Sequence, residues 1–159
     1  MKSLQTDTEK AGFKKRLLQA AASLIEQRMA ANIQAIANAQ AAANAEEKSS
    51  AGDKYETARA MAHLEKDMHG RQLQANRTEM AALLNTYCST IYKSATTGSF
   101  IQCDSYCFFI AAGLGKISFE GLVIYLLSPT APVAKLLYQK QKGDTIIFNK
   151  SMQQIKEVF

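Results

Sequence analysis

Apolar positions in the first half of the chain fall alternately three and four residues apart. Ala22, Ile25, Met29, Asn32, Ile36, Ala39 and Ala43 form one such row, which is the spacing of a coiled-coil seam. Asn32 is its polar member, and a polar seam residue sets register at some cost in stability. Residues 8–45 contain no proline, are rich in alanine and hold a single glycine, Gly12, near the start. The pattern predicts one uninterrupted helix. The stretch Glu46–Gly52, with its paired serines and Gly52, predicts a turn. A second helix is expected from Asp53 to about Tyr87. Met61, Leu64 and Met68 carry its apolar row, then Leu73, Asn76, Met80, Leu83 and Tyr87. The row slips in phase near Gly70, which predicts a local irregularity there. Two such helices joined by a short turn must lie antiparallel, and the hairpin would reach roughly 45 to 50 Å at 1.5 Å per residue.

Beyond residue 87 the period changes. Ser99–Cys103, Tyr106–Ala111 and Ile117–Leu126 alternate β-branched and aromatic residues between Gly or Asp punctuation, the signature of strands. Ser128–Pro132 reads as a loop and Val133–Gln139 as a short helix. Lys142-Gly143-Asp144 reads as a turn, and Thr145–Phe148 and Met152–Val158 as two more strands. Strands with one short helix predict an α+β domain. The expected division is therefore a coiled-coil hairpin over 1–87, with its tip at 46–53, and a small antiparallel sheet domain over 88–159.

Composition narrows the function classes. The chain has 159 residues, is 47% hydrophobic and carries a net charge of +5. That is enough apolar material for a packed core. Up to Leu84 there are 12 Lys and Arg against 10 Asp and Glu; from Asn85 there are 7 against 4. Both halves are mildly basic, which favours acidic partners without specifying one. Three cysteines, Cys88, Cys103 and Cys107, fit neither a disulfide framework nor a zinc ribbon and predict ordinary buried thiols in a reducing compartment. The first residues are polar and the longest apolar runs are too short to span a bilayer. A soluble, cytoplasmic protein with no membrane partner is expected. His63 and His69 lie six apart, not the i, i+4 spacing of a helical zinc pair, and are expected on the surface. No Cys–His or Ser–His–Asp set can be placed.

Two stretches carry a resemblance. Gly52-Asp53-Lys54-Tyr55-Glu56-Thr57-Ala58 follows the hairpin turn. Ala131-Pro132-Val133-Ala134-Lys135-Leu136-Leu137 leads to Lys140 and Gly143-Asp144. In this order, behind a long helical pair, they resemble the Gre family of bacterial transcript-cleavage factors, and the likeness covers nearly the whole chain. It implies an FKBP-like C-terminal domain that docks on bacterial RNA polymerase. It also implies a hairpin tip whose carboxylates, here Asp53 and Glu56, help the polymerase hold a second Mg²⁺ and cleave backtracked RNA at its 3′ end. On this reading the chain is an accessory factor, not itself an enzyme, and holds no stable metal alone.

The residues allow that chemistry and a plainer one. Asp53 and Glu56 are spaced i, i+3, so both carboxylates share one side of a helix start. Mg²⁺ takes hard oxygen ligands and keeps several waters, and in a two-metal site the second ion activates water. The same spacing is a capping box. Lys54, Arg59 and Lys66, with Arg71 and Arg77, can meet RNA or polymerase, or form a solvated face. Pro132, Leu137 and Tyr138 form a candidate docking patch or simply pack a loop and a short helix. Three functions follow as expectations: a cleavage-stimulating factor, a modulator of the polymerase that does not cleave, and a helical-hairpin interaction protein unrelated to polymerase.

Overall fold

The computed structural model describes residues 6–47 and 53–159, with the backbone alone for 46, 47 and 53–55. Two long helices open it, α1 (Asp7–Glu47) and α2 (Asp53–Leu84), followed by strands β1 (Phe100–Cys103), β2 (Cys107–Ile110), β3 (Gly115–Phe119) and β4 (Leu122–Leu127), helix α3 (Pro132–Leu137), and strands β5 (Thr145–Phe148) and β6 (Ser151–Val158). The fold class is α+β, as the residue pattern predicts. The turn expected over Glu46–Gly52 lies, at residues 48–52, outside the described residues.

Contacts divide the chain into two compact units: Ser23–Thr78, and Met1–Ala22 together with Glu79–Phe159. The division does not fall at residue 87. The start of α1 and the end of α2 belong with the sheet; on α1, Phe13 sits 5.1 Å from Phe100 and 5.5 Å from Phe119, ring centre to ring centre, in edge-on packing.

In the hairpin unit, Ile25, Asn32, Ala39 and Ala43 of α1 are buried, the row read from the sequence. On α2 the later part of the expected row holds, with Leu73, Asn76 and Met80 half-buried and Leu83 buried, but the first part does not. Ala62 is buried and Lys66, His69, Leu73 and Asn76 are half-buried, stepping 4-3-4-3 without a slip. Met61, Leu64 and Met68 are instead 61%, 58% and 42% exposed. The correction has a physical reason: small Ala62 allows close approach, and Lys66 and His69 bury their stems while their polar ends find partners. α2 is unbroken through Gly70.

α1 starts with a capping box. The Thr6 N–H donates to the Glu9 carboxylate at 3.0 Å, and the Glu9 N–H donates to the Thr6 hydroxyl at 3.2 Å, satisfying two N–H groups the helix leaves unpaired.

The sheet has six strands in the order β3-β4-β2-β1-β6-β5. It is mostly antiparallel, as expected, with β2 and β4 the one parallel pair among the described strands. The stretch Ile117–Leu126, expected as one strand, folds back on itself as β3 and β4. Glu120 and Gly121 turn between them with φ of 47° and 77°, the positive pair that a two-residue hairpin of matching twist requires. Asn149 and Lys150, at 51° and 61°, do the same between β5 and β6.

Strand alternation gives each sheet face its own core. Phe100, Phe109, Ile124 and Leu126 point one way; Ile101, Cys103, Phe108 and Ile110 point the other. The first face receives Phe13 and Phe159. The second is covered by Ala134 and Leu137 of α3, with Ile146, Ile155 and Val158. Tyr106, Phe108, Tyr125 and Phe148 pack there as an aromatic group with ring centres 4.8 to 6.3 Å apart.

Candidate functional site

The proposed tip acids sit at the first turn of α2. Asp53 is its first residue, and Glu56, one turn on, is exposed. The side chains of Asp53 and Lys54, and those of Glu46 and Glu47, lie outside the described residues. A helix start suits acidic groups because its unpaired N–H groups carry partial positive charge.

Of the cations expected to meet RNA, Arg59, Arg71 and Arg77 are exposed along α2. Lys66 is not a free surface charge. It is half-buried in the seam and its ammonium donates to the Gln40 side-chain carbonyl on α1 at 2.6 Å. His63 is exposed, but His69 is a seam residue rather than a surface one. Its Nδ1 lies 3.2 Å from Asn32 Oδ1, and its Nε2 lies 3.9 Å from Glu65. The sequence signal for this was present: 62, 66, 69, 73 and 76 keep the 4-3 spacing once polar residues are allowed into the row.

The docking patch splits. Pro132 is exposed as the first residue of α3, and Tyr138, just past its end, is 59% exposed. Leu137 is fully buried in the sheet core and has no surface to offer a partner. That is a correction: on a six-residue helix the core side takes Ala134 and Leu137, spaced i, i+3, and leaves Leu136 outward at 56% exposed.

All three cysteines are free, as the odd count suggests. Cys103 is buried, and Cys88 and Cys107 are half-buried. Burial pushes the Cys103 thiol up to about 11 and raises Cys107 as well. An activated nucleophile needs the opposite shift, so these two thiols are packing groups.

The buried cation of the sheet unit was not foreseen. Lys14 is fully buried; its ammonium donates to the carbonyls of Thr90 and of Gly98, the latter at 2.9 Å, and lies 4.9 Å from the centre of the Tyr92 ring. It ties α1 to the segment leading into β1. In the sequence it is one of three consecutive basic residues, and nothing in Lys14-Lys15-Arg16 marks which one turns inward.

Among the described residues no group of three or more His, Cys, Asp or Glu side chains is arranged to hold a metal ion, and no helix is long and apolar enough to cross a membrane. Compared with known proteins, the chain matches no family model and no curated sequence.

Proposed function

We propose that the chain is a Gre-like accessory factor of bacterial RNA polymerase, whose hairpin carries Asp53 and Glu56 to the polymerase's active site to promote cleavage of backtracked RNA. The observation that carries the reading is an acidic pair at the start of α2. Asp53 opens the helix and Glu56 follows one turn later, exposed, in a chain that has two paired helices and an α+β sheet unit. Two carboxylates on adjacent turns supply hard oxygens of the kind Mg²⁺ takes, and two are too few to hold the ion tightly without ligands from a partner. They fit a shared ion rather than a resident one. In this role the carboxylates hold and orient water near the ion; the bond cleaved belongs to the polymerase's RNA. The protein acts in the cytoplasm, where that polymerase works.

The test is RNA release from stalled, backtracked bacterial polymerase, with the native protein against Asp53→Ala/Glu56→Ala. Short RNAs that appear only with the native tip support the proposal. Binding to polymerase without cleavage makes the protein a modulator of the same enzyme. Absence of binding overturns the polymerase reading.

A second reading has its own observation. Met61, Leu64 and Met68 form an outward row at seam spacing on α2, and such a row suits a helical interaction protein with no link to polymerase.

A further inference from the structure

The whole net charge belongs to one unit. Ser23–Thr78 holds 7 Lys and Arg and 7 Asp and Glu, whereas the sheet unit holds 12 against 7, which is the full +5. Part of that excess gathers where two segments outside the main strands meet. Ser94 and Gln141 form an isolated antiparallel bridge. It is fastened by the Ala95 N–H donating to the Lys140 carbonyl and the Gln139 N–H donating to the Ala95 carbonyl, both at 2.8 Å.

Antiparallel register sets Lys93 opposite Lys142, one step beyond the bridge, and Ala95 opposite Lys140. Lys93 and Lys142 are exposed, Lys140 is half-exposed, and exposed Lys135 lies on α3 just before. Like charges placed opposite one another on paired strands repel. Among the described residues none of these four lysines has an ion-pair partner, unlike Lys10, held by Glu157, and Lys156, held by Asp104. The nearest acid in sequence, Asp144, spends a carboxylate oxygen on the Gln141 N–H at 2.8 Å.

Tyr138 stands in the same segment. The Tyr138 N–H closes the end of α3 on the Ala134 carbonyl, and Gln139 then turns with a φ of 62°, a left-handed conformation costly for a residue with a side chain. The turn brings 139–141 back against 94–95 and leaves Tyr138, two residues before Lys140 in the chain, 59% exposed.

We propose that this corner of the sheet unit is a binding surface for single-stranded nucleic acid. Lys93, Lys135, Lys140 and Lys142 meet backbone phosphates and Tyr138 stacks on a base. Lysines without ion-pair partners and an exposed tyrosine in the same pair of segments match the two requirements of sequence-tolerant single-strand binding: a cationic track and an aromatic platform. Single-stranded nucleic acid engages both groups at once, its phosphates the lysines and a base the ring, and the ring's contribution is what the Tyr138→Ala variant reads. The surface is independent of the acidic pair at the start of α2, and its test contains no polymerase, so its failure would leave the cleavage reading standing.

The experiment is fluorescence anisotropy of the full chain with a labelled oligouridylate of about 20 nucleotides, a length that covers a typical single-strand site. The salt series runs from about 50 to 200 mM, the range over which phosphate contacts weaken measurably. Native protein should bind, with affinity falling as salt rises. Lys93→Gln/Lys140→Gln/Lys142→Gln should weaken binding by at least about tenfold and flatten the salt dependence by about two in log–log slope, at roughly 0.7 per lost single-strand phosphate contact. Tyr138→Ala, at an exposed position that leaves the fold intact, should weaken it about fivefold or more. No binding at the lowest salt, or unchanged binding by both variants, overturns the proposal. So does equal affinity for duplex DNA of the same length. Displacement by polyglutamate together with no effect of Tyr138→Ala would also overturn it and assign the lysines to an acidic protein.

Discussion

His69 Nδ1 lies 3.2 Å from Asn32 Oδ1 across the seam of the hairpin unit. Asn32 is the polar member of the α1 row, His69 is one of the polar members of the α2 row, with Lys66 and Asn76, and the two rows meet at that point. The pair costs stability relative to two aliphatic residues, and it allows only alignments that keep both polar groups together. Replacing Asn32 alone by Leu removes the acceptor and leaves the ring without its partner. Urea unfolding should show a loss of about 1 to 3 kcal/mol. Asn32→Leu/His69→Leu should recover that loss or exceed native stability, while broadening the amide spectrum of the helices as alternative alignments become populated.

The two apolar rows on α2 make opposite predictions. Met61, Leu64 and Met68 are outward, so Met61→Gln/Leu64→Gln/Met68→Gln should leave the unfolding free energy within about 0.5 kcal/mol per site, the range of ordinary surface changes. Ile25→Ala, at a fully buried seam position, should cost about 2 to 5 kcal/mol. A large loss from the triple glutamine variant would mean that the outward row is covered in solution, and sedimentation should then show a concentration-dependent assembly.

The difference between those rows shows what was readable in the chain. On α1 the 3-4 spacing runs through Ile25, Met29, Asn32 and Ile36, and the seam follows from it directly. Over the first part of α2 the most hydrophobic residues, Met61, Leu64 and Met68, are not the seam residues, because alanine and the stems of Lys66 and His69 fill the narrow space against α1. There a rule that follows hydrophobicity alone chooses the wrong side, while from Leu73 on it chooses the right one. Strand positions were legible from β-branched and aromatic runs, but the fold-back at Glu120-Gly121 was hidden by hydrophobic residues on both sides of it. Asp53 and Glu56 were legible as a helix start; whether they cap or present is a matter of side-chain placement. Lys14 was not legible at all, since its two carbonyl acceptors come from residues 76 and 84 positions away.

Packing between β2, β4 and β5 predicts a large effect from one ring. Phe108 is fully buried and lies 5.1 Å from Phe148 and 5.8 Å from Tyr125, centre to centre. Phe108→Ala removes a ring that no neighbour can replace and should cost about 3 to 5 kcal/mol. Near-ultraviolet circular dichroism should lose the tyrosine signal from Tyr106 and Tyr125 before the helical far-ultraviolet signal changes. Loss of both signals together would mean that the helices and the sheet unfold as one cooperative unit.

Lys14 makes stability depend on pH in an unusual direction. Burial lowers its ammonium from 10.5 to about 8, and the negative charge of a Cys88 thiolate, when present, acts the other way. Between these two values the unfolded chain holds a proton at this lysine that the folded chain has released. Stability therefore rises with pH across the window, by at most about 1.4 kcal/mol per pH unit for a single group, and below pH 8 the cost of burying the charge is present in full. Cys103 and Cys107 oppose this from 9.0 upward, because burial makes both folded thiols keep their protons longer, Cys103 to about 11. The clean interval is pH 8 to 9. Chemical denaturation there should show native stability increasing with pH and Lys14→Met showing no such rise. An unchanged slope in Lys14→Met would place the titration elsewhere; a native slope of zero would mean that the Thr90 and Gly98 carbonyls hold the ammonium charged throughout.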